Sequence, residues 1–465
     1  ITNSKFNNNT ALRAYGGSIY NSGNLNINNI TITKSEAKSI EEIGPGYTYV
    51  NTYSRGGGIY NNGTLIMTNS TITQSSSSFK SNGGAISNDG VMTLDTITLF
   101  NNTGTGIVYN GETGEGTITN SLFKNNNLPI HSGYPSYYYG ALFNEGKLTI
   151  TKSIFDANKV VGWKQALTGA TGSLSIYNSG EITIKCNLFI NTPPLPKPVN
   201  STDSLVWAPY SFIYSETTKI NIIYNYFGIN NDIFSNNVIG VGSGTIKVNN
   251  YFVLRFDPEY FAVDINDTTK IKVSLQLNTA IKNYEDTIFN EWDLLPKLNV
   301  TITTLINGVP TNITKELING SATIDYSFSD KKTQYTVYAY CEGQTTNATI
   351  DIGKEHANMT FDIKDIIYKE DLIITINVTG VPNLHKPTGN ISYVINNKKY
   401  YVNLVNGQAK INISNLKVGD YVIKINYEGD DDYFKIFTRN NFTVHKIPTT
   451  LELVLDDFKI GETGL

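Results

Sequence analysis

The first half of the chain repeats a pattern of apolar and polar positions. Residues 16–35 read GGSIYNSGNLNINNITITKS and residues 56–75 read GGGIYNNGTLIMTNSTITQS. With the glycine of the N-x-G element as origin, the position four before it holds Ile19, Ile59, Ile86, Ile107, Leu142 and Ile176. Two after it stand Leu25, Leu65, Met92, Leu148 and Ile182; four after it, Ile27, Met67, Leu94, Ile150 and Ile184. Nine after it come Ile32, Ile72, Leu99, Phe155 and Phe189. A fourth copy keeps Phe123 but reads GETGEG where the others begin a strand.

Apolar positions two apart share one face of a strand, and the later step of five crosses a corner into another strand. Each copy is therefore one coil of several short strands. A lone coil buries no apolar face, so successive coils must stack at about 4.8 Å with parallel pairing. The prediction is an all-β chain that opens with a right-handed parallel β-helix of about eight coils over residues 1–253. Ile220, Ile222 and Phe227 fit a seventh coil, and Ile246, Val248 and Val253 an eighth. Ile1 and Phe6 match the last columns, so the chain is expected to begin partway through a coil, as a piece of a longer protein. Asn21, Asn61, Asn88, Asn144 and Asn178 form one column, expected to be a structural ladder of carboxamides bonded from coil to coil.

Insertions fall at one phase of the repeat, after the last column and before the next coil: 36–55, 76–82, 127–139, 159–171 and 192–212. Stacking would align them along one edge. They hold Tyr47, Tyr49, Tyr53, Tyr134, Tyr137, Tyr138, Tyr139, Trp163 and Trp207. Tyrosine and tryptophan give rigid contact area with a polar handle, and the accompanying Ser, Gly and Asn give adaptable hydrogen bonding, as in a paratope. These nine are the ligand-binding candidates; the competing reading is that their rings fold back to cover the flank.

After about residue 254 the pattern becomes alternating strands with Asn-Gly and Gly-Asp turns. ELINGSATIDY (316–326) matches NLVNGQAKINI (403–413), and YTVYAYCEG (335–343) matches YVIKINYEG (421–429), offsets of 87 and 86 residues. That length suits immunoglobulin-like sandwiches over 254–354 and 355–446. TTLELVLDDFK (449–459) echoes MTFDIKDIIYK (359–369), so 447–465 is expected to begin a third. The GGxIYNxG coils, the segment INIIYNYFGIN (220–230) and sandwich repeats carrying LVNGQAKINI and YEGDDDYF (427–434) together resemble adhesin-like surface proteins of methanogenic archaea. That resemblance implies an extracellular, cell-wall-associated protein whose β-helix is displayed on a stalk of sandwiches.

Charge and composition narrow the function. The net charge is -4, and the halves differ only from +2 to -6, so no basic field for nucleic acid exists. No apolar run approaches the roughly 20 residues of a membrane span. Cys186 and Cys341, 155 residues apart, read as small buried hydrophobes. Sixteen Asn-X-Ser/Thr motifs, Asn62, Asn69, Asn319 and Asn412 among them, are acceptors for glycosylation in an exported chain. His131, His356, His385 and His445 lack metal-ligand spacing, and Asp430-Asp431-Asp432 reads as a solvated turn. Asp89 and Glu145 share a column about 9.6 Å apart, near the upper limit for an inverting glycosidase pair, but both precede turn glycines. The chain is thus expected to be a monomeric, non-enzymatic adhesin without cofactor or metal, whose partner is a glycan or protein on another cell surface. A polysaccharide lyase or hydrolase and a non-binding spacer are the alternatives.

Overall fold

The computed structural model describes residues 1–39, 41–43, 49–51, 54–78, 82–129, 137–161, 171–191, 211–229, 239–241, 248, 250–264, 268–278, 289–306, 309–327, 333–382 and 384–452. It is all-β. The chain divides into two compact units, one of residues 1–259, 270–325 and 336–349, the other of residues 260–269, 326–335 and 350–465.

In the first unit, successive repeats pair in parallel along three ladders. One runs through Ile19–Asn21, Ile59–Asn61, Ile86–Asn88, Val108–Asn110, Leu142–Asn144, Thr171–Asn178, Ser211–Ser215 and Ile239–Val241. A second aligns Leu25, Leu65, Met92, Gly116, Leu148, Ile182 and Ile220, and a third aligns Phe6, Ile32, Ile72, Leu99 and Phe123 before continuing through Phe155 and Phe189. The inward residues of all three meet in one apolar core. Equivalent phenylalanines stack inside it, with ring centroids 4.6 Å apart for Phe123–Phe155, 5.1 Å for Phe155–Phe189 and 5.2 Å for Phe189–Phe227. Those spacings follow the strand separation.

Corners are where a coil turns, and there polar side chains run from coil to coil. Asn21 Nδ2 donates to Asn61 Oδ1 at 2.6 Å, Asn61 to Asn88 at 2.6 Å, Asn88 to Asn110 at 2.7 Å, Asn110 to Asn144 at 2.8 Å and Asn144 to Asn178 at 2.7 Å. Ser215 ends the row. Two further rows form at the other corners. In one, Ser121 N–H donates to Ser153, Ser153 to Asn187 and Asn187 to Asn225. In the other, Ser75 N–H donates to Asn102 Oδ1, Asn102 N–H to Asn126 Oδ1 and Asn126 N–H to Asn158 Oδ1. In these two further rows the residue before each named member has positive φ, among them Asn101, Asn120, Asn125 and Lys152. Asparagine tolerates that left-handed region better than most residues, which is one source of the chain's asparagine content.

The fourth coil departs from the expected register. Val108, not Ile107, pairs with Ile86 and Leu142, because this turn carries two extra residues. Its origin glycine is Gly114, whose N–H donates to Gly111 O at 2.8 Å. Asn110 thereby joins the ladder that the N-x-G spacing left broken. Gly116 takes the column of Met92 and Leu148, where an added Cβ would lie 2.5 Å from Leu148 Cδ1.

The strand Tyr251–Phe256 pairs in parallel with Asn225–Tyr226 and antiparallel with Thr268–Leu277, from Phe252↔Leu277 to Phe256↔Val273. Buried Gln344 accepts from Leu254 N–H at 2.6 Å and donates to Phe252 O at 3.1 Å. Asn299–Ile306 and Val309–Glu316 form an antiparallel hairpin, and Thr301 to Thr303 pair with Tyr340 to Tyr338. Trp292 lies against Phe252 and Phe289 at 5.5 and 4.8 Å. It covers Gly320, where a Cβ would meet the indole at 2.2 Å.

The second unit holds a sandwich of two sheets. Asn358–Phe361, Leu372–Thr379 and Gln408–Ile413 make the smaller sheet; Ile366–Ile367, Ile436–His445, Gly419–Tyr427, Asn390–Ile395 and Lys398–Asn403 make the larger. Alternate residues such as Ile374, Ile376, Ile411, Ile423 and Ile425 face a common core. Strand number and alternation are those of an immunoglobulin-type sandwich.

Candidate functional site

The middle residue of each strand in the ladder that begins at Ile19–Asn21 points away from the main core. Its column reads Tyr20, Tyr60, Ser87, Tyr109, Phe143, Tyr177 and Tyr214. Tyr15 and Tyr20 stack on Tyr60 at 4.6 and 5.5 Å. Farther along, Tyr109, Phe143 and Tyr177 form a separate buried cluster with Tyr139 and Tyr214 against it.

Acids stand two residues after these rings, immediately following the ladder position, one coil on. Tyr60 donates its hydroxyl to Asp89 at 2.8 Å, Tyr109 donates to Glu145, and Tyr177 donates to Glu216. Each pair recurs every second coil, about 9.6 Å along the stack. Burial raises all three tyrosines above their ordinary value of 10.0, and the neighbouring carboxylates raise them further. The phenols therefore stay protonated donors. Arg55 binds Asp89 at 2.7 Å and lies over the Tyr109 ring at 5.6 Å. Burial alone would lower its pKa, but the Asp89 carboxylate more than offsets this and holds it above the usual value. The arrangement presents a row of carboxylates whose geometry is fixed by tyrosines underneath.

The described residues at the starts and ends of the insertions pair from coil to coil. Glu36–Lys38 pairs with Ser76–Ser77 and Asn127–Pro129 with Lys159–Val161, and Thr10–Leu12, ahead of the first insertion, pairs with Glu36–Lys38. Thr103 bridges Ser76 and Asn127. Their returns stack as well, since Gly17 N–H donates to Gly56 O, Gly57 to Gly83 O and Gly84 to Gly106 O.

Of the sequence candidates, Tyr139 is the one whose side chain is described. It is half-buried, stacked on Phe143 at 4.3 Å and edge-on to Tyr177 at 4.8 Å. Tyr49 lies in the strand Tyr49–Asn51, antiparallel to Glu41–Ile43, and Tyr137 and Tyr138 pair in parallel with Thr171 and Gly172. Tyr47, Tyr53, Tyr134, Trp163 and Trp207 lie outside the described residues. The sequence reading missed Arg55 and the outward Tyr column, although the IYN motif repeats it. It also missed Glu216, because Ser215 replaces the ladder asparagine that would have marked the position.

Other chemistry resolves into local structure. Asp430 accepts from Asp432 and Tyr433 N–H at 2.9 and 2.8 Å and from Thr388 N–H and hydroxyl at 2.9 and 3.0 Å. Burial raises its pKa, and these donors more than reverse the effect. Among the described residues no three His, Cys, Asp or Glu side chains form a metal-binding group. His356, His385 and His445 each face a different acid, Asp264, Asp432 and Asp365. Cys186 and Cys341 are buried free thiols, and burial pushes each up to about 12. No described helix is long and apolar enough to cross a membrane.

No protein-family model matches the chain, and no curated protein does. Among solved structures, the chain is similar to the fibronectin(III)-like modules of Clostridium thermocellum CbhA, at 10% identity and a TM-score of 0.19, over 43% of this chain and 100% of that one. It is also similar to a 1.5-MDa bacterial ice-binding adhesin, at 11% identity and a TM-score of 0.16, over 42% of this chain and 65% of that one. A third is the Yersinia pseudotuberculosis adhesin InvE, at 13% identity and 0.15, over 42% and 58%.

Proposed function

We propose that this chain is part of an extracellular, cell-wall-associated adhesin, of the kind found in methanogenic archaea, in which a right-handed parallel β-helix binds a glycan on a partner cell surface. Crossovers between parallel strands are overwhelmingly right-handed, which supports that hand for the coils. Residues 1–253 act as the binding domain, and sandwiches over 254–354 and 355–446 act as a stalk of a monomeric protein.

One observation carries the reading: three tyrosine–carboxylate pairs recur at two-coil intervals. A periodic row of hydrogen-bond acceptors suits a chain ligand with its own repeat, and many weak contacts of this kind gain strength through avidity. The proposed role is non-enzymatic. Asp89 accepts from both Tyr60 and Arg55, and Glu145 from Tyr109, which holds both carboxylates in place as acceptors for a ligand.

The test is a glycan array with the parent chain and with Glu145→Gln, together with an assay for new reducing ends or unsaturated products. Binding to extended polysaccharides that Glu145→Gln weakens, without product formation, supports the proposal. Cleavage that depends on Asp89 or Glu145 overturns it in favour of an enzyme, and an array without any bound glycan favours a spacer or a protein partner.

A further inference from the structure

The described asparagines separate into two sets by whether they sit in an acceptor motif. Twelve are buried: Asn278 and the ladder residues exemplified by Asn61, Asn102 and Asn187. None of the twelve is followed by X-Ser/Thr. Of the sixteen motifs, those at Asn200 and Asn266 lie outside the described residues. Every asparagine of the remaining motifs is exposed or half-buried. A glycan on a ladder asparagine would forbid coil stacking, so a chain that meets a glycosyltransferase before folding must keep its buried asparagines out of the motif.

The smaller sheet of the second unit concentrates acceptors. Asn358, Asn377 and Asn412 alternate with the core-facing Met359, Ile376 and Ile411 and therefore share the outer face. Asn412 sits directly across from Ile373, whose side chain leaves that polar face with 52% exposure. Asn377 pairs with Gln408, four residues along the strand from Asn412, so the two acceptors are separated by about 13 Å. That leaves room for a separate glycan at Asn412, while Asn358 and Asn377 lie closer together on paired strands.

We propose that Asn412 is an N-glycosylation site and that its first sugars cover Ile373, making the outer face of this sheet a sugar-coated surface. The proposal rests on export of the chain, but not on its ligand. In the step, Asn412 Nδ2 bonds to the anomeric carbon of an oligosaccharide carried on a polyisoprenyl phosphate or pyrophosphate. The bond from that carbon to the phosphate oxygen breaks, its electron pair leaves with the phosphate, and the Nδ2 proton passes to a base of the transferase. Ser414, exposed two residues on, completes the acceptor.

The experiment is glycopeptide mass spectrometry on the protein recovered from the surface of cells that make it, with Ser414→Ala in parallel. The expected result is a sugar mass on the Asn412 peptide that Ser414→Ala removes, with unmodified peptides from the ladder residues Asn144 and Asn158, whose neighbouring sequence holds no acceptor motif. An unmodified Asn412 peptide in surface-recovered protein overturns the proposal, even if that protein still attaches to cells and the adhesin reading stands. Occupied Asn412 in a protein that fails to attach supports the glycan while counting against adhesion.

Discussion

At the scale of single residues, buried polar side chains here work by repetition. Asn61 donates to Asn88 Oδ1 and to the carbonyls of Gly63 and Val91, and accepts from Asn21. Asn61→Ala leaves these partners unpaired in a dry corner, so denaturant unfolding should show a loss of about 1–3 kcal/mol. Tyr60, Tyr109 and Tyr177 give a pH dependence of definite sign. Their folded-state pKa values are raised above the ordinary 10.0, so the folded chain holds protons that the unfolded chain releases. Their contribution to stability is complete below that value and is lost as pH rises from it toward the folded values. Thermal melts should therefore fall in alkali above about pH 10, and Tyr109→Phe should flatten the fall; an alkaline limb unchanged in that variant would refute the assignment. The sequence showed one asparagine column because N-x-G repeats literally. The other two corner rows mix serine with asparagine, and a column that changes residue type has no signature until strands are in register.

At the scale of elements, the coil is defined by close backbone approach as much as by apolar columns. A Cβ on Gly57 would come within 2.2 Å of Gly84 O and 2.4 Å of Ser76 O, both backbone atoms that cannot yield. Gly57→Ala should thus destabilise the stack by about 1–3 kcal/mol, seen as a lower denaturation midpoint, whereas alanine at Gly23, which meets nothing within 4 Å, should not. The apolar columns were legible because inward positions tolerate only apolar side chains at constant spacing. The fourth coil was misread by one position at Val108 because two residues inserted in a turn shift the ruler without altering the residues that pair. Strand alternation likewise made the sandwiches readable, since Leu372, Ile374, Ile376 and Val378 all face inward.

At the scale of the whole molecule, the stacked coils carry a periodic outer row of carboxylates. Replacing Tyr137, Tyr138 and Tyr139 together does not isolate binding, because Tyr139 stacks on Phe143 and its loss costs packing. Tyr137→Ala with Tyr138→Ala is the cleaner variant, and cell attachment should drop while the melting temperature holds. The Tyr–carboxylate row was not legible in the sequence, because each pair joins residues 29 to 39 apart that only stacking brings together. The central claim is that this row reads an extended glycan. Asp89 and Glu216 are four coils apart, about 19 Å along the stack. The most direct measurement is calorimetric titration of the chain with oligosaccharides of increasing length, cut from the polysaccharide it captures. The account predicts affinity that climbs until the ligand spans that distance and then levels off, with Glu145→Gln lowering the plateau. Affinity independent of length, or unaffected by Glu145→Gln in a folded variant, would contradict it.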